Sequence, residues 1–106
     1  MADTGAFVRY EFTIPESLKE TVIISTAREM RSQYEFSAHA KLARAAGVSD
    51  ETIKIIANGD APAGLSGDEA LLSGYVKEML QEHKVSDATY KALVDRFGQQ
   101  DTLHLA

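Results

Sequence analysis

The sequence predicts an all-α domain on three observations: apolar residues recur at helical spacing through most of the chain, capping and stop signals cut that pattern into segments, and strict alternation is confined to one short stretch near the start. The alternating stretch comes first. Val8, Tyr10, Phe12 and Ile14 interleave with Arg9, Glu11 and Thr13, the period of extended backbone, so residues 1–14 read as a short extended N-terminal arm. Pro15 suits the first turn of a helix, and a long helical stretch follows to about Arg31. Its apolar residues Leu18, Val22, Ile23, Ile24, Ala27 and Met30 fall nearly all round the cylinder, which predicts a central helix buried on several sides.

A second helix is predicted over residues 33–46, with Gly47 as its left-handed stop. Ser49 then caps a short third helix through Ile53 and Ile56 that ends at Asn58-Gly59, and residues 60–64, with Pro62, form a loop. The run Ser66-Gly67-Asp68-Glu69 has the capping-box pattern, flanked by Leu65 and Ala70 in staple positions, and opens a helix to about His83. Val85-Ser86 repeats the design before a last helix that carries Tyr90, Leu93, Val94 and Phe97 and is closed by Gly98. Residues 99–106 show no periodicity and read as a C-terminal tail. With no internal repeat, linker or low-complexity tract, residues 15–98 form one helical domain.

Composition excludes several functions. A net charge of −5 lacks the clustered Lys and Arg of a nucleic-acid footprint. No apolar run approaches a membrane span, and Met1 to Arg9 lacks the plan of a signal peptide, so the expected location is the cytoplasm. There is no cysteine, hence no thiol chemistry from the chain's own side chains. Neither a Gly-rich phosphate loop after a strand nor a Gly-x-Ser-x-Gly elbow is present, which disfavours nucleotide enzymes and serine hydrolases.

Titratable groups, in contrast, fall on apolar faces. At about 100° per residue, Ser37, Lys41 and Arg44 share the watery side of the second helix, opposite Phe36, Leu42, Ala43 and Ala46. Glu35 and His39 lie in the middle of that apolar stripe, four residues apart and therefore neighbours. On the first helix Glu20 projects with Ile23, Ile24 and Ala27, and Arg31 lies two turns further along the same face. Burying such charges costs several kcal/mol unless they pair or line a cavity. Two readings follow: a structural ion network holding two helices in register, or a polar pocket between them with Tyr34 adding a phenol at its mouth. Glu-x3-His with Glu20 could also supply metal ligands, but no second histidine stands at ligand spacing, and no metal is expected. His83 reads as a helix end, Lys77 with Gln81 and Lys84 as a solvated face.

The arrangement Ile14-Pro15-x-x-Leu18-Lys19-Glu20-x-x-Ile23, then Ser32-Gln33-Tyr34-Glu35-Phe36-x-x-His39, then Ala45-Ala46-Gly47-Val48-Ser49 resembles the carboxymuconolactone decarboxylase family, which includes the alkylhydroperoxidase D proteins. The likeness runs from about Ile14 to Phe97. In the thiol peroxidase branch a Glu precedes Cys-x-x-Cys and then a His; here Glu20 and His39 match the Glu and the His, while Ser32 and Glu35 stand where the cysteines would be. The resemblance implies an alkylhydroperoxidase D-like helical bundle that assembles into trimers or hexamers, with a proton-handling site at Glu20, Glu35 and His39. It implies no cofactor. The expected activity is acid/base decarboxylation or isomerisation of a small carboxylated or lactone-like molecule, with Arg31 and Tyr34 as substrate contacts; the alternative is a non-catalytic ligand-binding or assembly protein on the same fold.

Overall fold

A computed structural model describes the backbone of residues 14–105 and the side chains of residues 14–98. Within them the chain forms five helices and no strand: α1 (Glu16–Glu29), α2 (Gln33–Ala45), α3 (Asp50–Ala57), α4 (Gly67–Glu82) and α5 (Asp87–Leu105). The all-α expectation holds. Apart from Ile14, the extended arm expected at the N-terminus lies outside the described residues.

Local chemistry sets most of the boundaries. Ser32, Ser49 and Ser86 each accept a hydrogen bond from the backbone N–H three residues on, Glu35, Thr52 and Thr89 respectively, satisfying one of the donors that a helix start leaves open. After α2 the chain turns at Gly47, whose φ of 106° a glycine adopts without steric cost, and Val48 N–H returns to the Ala43 carbonyl. His83 ends α4 in the left-handed region. The capping box expected at Ser66 does not close. Ser66 occupies the N-cap without a side-chain bond, and Glu69 instead accepts from Thr52 Oγ1 on α3; a tertiary partner outcompetes the local one.

Two further boundaries differ from the sequence reading. The first helix stops at Glu29, and Arg31 sits beyond it with φ 57°, so Arg31 belongs to a turn and not to the face that carries Glu20. At the other end Gly98 breaks the helix with φ 84° as expected, but helical backbone resumes and runs to Leu105 where a patternless tail was expected.

Helix α1 is central, packing on α2, α3 and α4. Its N-terminal half joins Ile14, Leu18, Leu72, Tyr75, Val76 and Leu93 in one apolar cluster with α4 and α5. Its C-terminal half joins Ile24, Ala43, Val48, Ile53 and Ile56 in a second with α2 and α3. Burial is not complete on all sides, because Ile23 and Met30 remain exposed, Met30 at 65%. None of the helices is long and apolar enough to cross a membrane, among the described residues.

Candidate functional site

Between the two apolar clusters, α1 turns a carboxylate toward α2. Glu20 is buried, and its Oε1 lies 3.1 Å from Nδ1 of His39. The other ring nitrogen, Nε2, lies 3.6 Å from Oε2 of Glu35, within ion-pair reach but longer than a good hydrogen bond. The imidazole thus has a carboxylate at each nitrogen. An ionised carboxylate only accepts, so a bond to Glu20 puts a proton on Nδ1 and leaves Nε2 as the atom that gains or gives a proton toward solvent. His39 itself is half-buried, so that edge is reachable.

The helical projection placed Glu35 and His39 on a buried stripe. Structure corrects half of this, since the Glu35 side chain is 56% exposed, and Leu42 of the same stripe is 52% exposed. Buried Ala43 defines the face that α2 presses on the core, and Glu35 and Leu42 sit to its side. Only Glu20 and His39 meet in the interior. Among the described residues no group of three or more His, Cys, Asp or Glu side chains comes together as a metal ion would require.

Arg31 is placed elsewhere. With Arg28, Ser32 and Gln33 it lines an open cleft of about 810 Å³ at the junction of α1, α2 and α3, whose other walls include Phe36 and Ala57. His39, Glu35 and Glu20 do not line this cleft, although Phe36 and Ser37, on the preceding turn of α2, do. Tyr34 lines neither feature and is 81% exposed, so it gives no phenol to a pocket mouth. Sequence reasoning missed Arg28. Its Nε donates to the Ala57 carbonyl at 2.8 Å, a contact between residues twenty-nine apart that no local pattern signals. Lys77, read as part of a solvated face, donates to the Ala61 carbonyl at 3.2 Å.

Residues 1–78 match the pattern of the carboxymuconolactone decarboxylase family. The chain belongs to that family. Neither the curated proteins nor the solved structures contain a match to it. Membership fits the all-helical architecture, and the match spans Glu20, Glu35 and His39. As a cysteine-free chain of that family, it carries Ser32 as the N-cap of α2 and the carboxylate of Glu35 beside His39, where the thiol branch carries its cysteine pair.

Proposed function

We propose that this member of the carboxymuconolactone decarboxylase family is a cofactor-independent acid/base enzyme, a decarboxylase or isomerase of a small carboxylated or lactone-like molecule, and not a thiol peroxidase. The supporting observation is the buried Glu20 carboxylate on Nδ1 of a half-buried His39, whose Nε2 faces Glu35. Orienting a ring from one side while the other stays accessible is what general acid/base catalysis by histidine needs. Because Glu20 is the buried carboxylate and Glu35 the exposed one, Glu20 acts as the orienting partner, and Glu35 exchanges protons with water.

In a decarboxylation the carbon–carboxylate bond breaks, carbon dioxide leaves, and the electron pair moves onto a conjugated carbonyl as an enolate. The proton on Nε2 of His39 then goes to carbon, and the ring regains one from water by way of Glu35. An isomerisation uses the same ring to remove a proton at one carbon and return it at another. In this reading Arg31 holds the substrate carboxylate from the adjoining cleft, whose Phe36 and Ser37 lie on the turn of α2 before His39; a guanidinium makes that pairing in two-pronged form.

One observation favours a second reading, a non-catalytic ligand-binding or assembly protein: the cleft that carries Arg31 does not include His39. A thermal-shift screen with carboxylated lactones and related carboxylates separates the two, because a ligand of the native state raises the unfolding midpoint by mass action. The catalytic reading expects a hit that is turned over, and expects His39→Gln, folded, to lose about 100-fold or more of that turnover. Hits without turnover would establish the binding reading instead.

We also propose a homo-oligomer, a trimer or hexamer, in the cytoplasm. The exposed large apolar side chains Ile23, Met30, Tyr34 and Leu42 support this reading, as groups that a second copy could cover. Light scattering at micromolar concentration should give a multiple of the 11.6 kDa chain mass. A monomer would refute it.

A further inference from the structure

The arginines of the described chain divide into two kinds. Arg44 is paired with Asp50, and Arg96 makes a two-pronged contact with Asp68 at 2.7 Å on both nitrogens. Arg28 and Arg31 have no carboxylate partner among the described residues, and both line the same cleft. In a chain with 16 acidic and 11 basic side chains, two adjacent guanidiniums without a carboxylate are the exception. Like charges brought together in a concave site repel unless an anion joins them.

Arg28 is also held in place. Its Nε is tied to the carbonyl of Ala57, the last residue of α3, and its Nη2 lies where a Cβ on Gly59 would come within 2.8 Å. Gly59, whose φ of 80° itself favours glycine, leaves the guanidinium room. The bond to Ala57 therefore holds Arg28 at the wall of the cleft that Arg31 also lines before any ligand arrives, and pre-set donors lose less freedom on binding. Arg31, exposed in its left-handed turn, supplies a second, movable fork. Phe36, with Ala27 and Ala57, gives the same cleft an apolar wall.

We propose that Arg28, with Arg31, forms an anion-binding pair pre-set by the end of α3, and that its ligand is a small planar organic carboxylate lying against Phe36. This rests on the reading of Arg31 as a carboxylate holder and is independent of His39 as a proton carrier. Arg28 is the anchoring residue and Arg31 closes over the bound carboxylate.

Calorimetric titration of the whole protein with benzoate, its neutral isostere benzamide and inorganic phosphate tests the pair. Benzoate should bind with an affinity that falls as salt rises, benzamide and phosphate should bind at least about tenfold more weakly, and the amide resonances of residues 31–37 should shift. Arg31→Gln should weaken benzoate about tenfold or more. Arg28→Lys keeps the charge, loses the fork, and should weaken it too, while Arg96→Gln, the same loss of charge outside the cleft, should leave it unchanged. Absence of benzoate binding at millimolar concentration, equal binding of benzamide or phosphate, or equal weakening in Arg96→Gln would overturn the proposal. Benzoate binding that survives a complete lack of turnover with any screened carboxylate would defeat the enzymatic reading and leave this one standing.

Discussion

Two sides of α1 face different chemistry. Toward its N-terminus, Leu18 meets Leu72, Tyr75, Val76 and Leu93 in an apolar cluster where burial raises the Tyr75 phenol above its usual range. On the side turned to α2, the buried Glu20 meets the half-buried His39, and towards the C-terminus, past a second apolar cluster around Ile24, Arg28 reaches across to α3. The difference teaches a division of labour within one helix. The α4–α5 side supplies dry burial that holds α1 in place, and the α2–α3 side, beside an apolar cluster of its own, also carries Glu20 against His39 and Arg28 against α3.

Damage to the dry side should show in stability first. Leu72 is fully buried, so Leu72→Ala should cost about 2–5 kcal/mol, read as a lowered denaturant midpoint, with ligand affinity unchanged per folded molecule. Damage on the polar side should be milder for the fold. Glu20→Gln leaves a buried amide beside His39 and should cost about 1–3 kcal/mol, while turnover falls further than stability does. Equal, proportionate losses of both quantities in the two variants would erase the contrast between the two sides.

The smallest expected effect concerns how α5 attaches to α4. Glu78 on α4 accepts from the Thr89 hydroxyl and, at 2.8 Å, from the Ser86 backbone N–H at the start of α5. These bonds hold its carboxyl below its ordinary value of 4.5, the Thr89 hydroxyl contributing most. A carboxyl lowered on folding adds stability that is fully present above the ordinary value and is lost as pH falls from 4.5 through the folded value. Glu78→Gln should lower the unfolding midpoint slightly near neutrality, where this contribution is present, and leave it unchanged well below the folded value, so the acid limb of a plot of midpoint against pH flattens. An acid limb identical to wild type would remove Glu78 as the clasp.

Much of this fold is legible in the sequence wherever the deciding interaction is local. Ser49, Gly47 and Asn58-Gly59 mark the ends of α2 and α3 because caps and left-handed stops act within a few residues. Capping fails as a guide at Ser66, where Glu69 is drawn to Thr52 seventeen residues away. The projection of α2 identified neighbours correctly, since Glu35 and His39 do approach, but a helical wheel does not say which side meets another helix. Glu35, Leu42 and Tyr34 are exposed for that reason. Arg31 escaped its expected face because α1 ends two residues earlier, and Arg28 was overlooked because its partner is the carbonyl of a distant helix.

The central claim, that the polar side of α1 performs chemistry which the dry side merely supports, is tested most directly by turnover per folded molecule in His39→Gln, using a substrate from the thermal-shift screen. Loss of about 100-fold or more in kcat, with the oligomer mass and unfolding midpoint close to wild type, is the expected result. A folded His39→Gln that turns over substrate at the wild-type rate would contradict it.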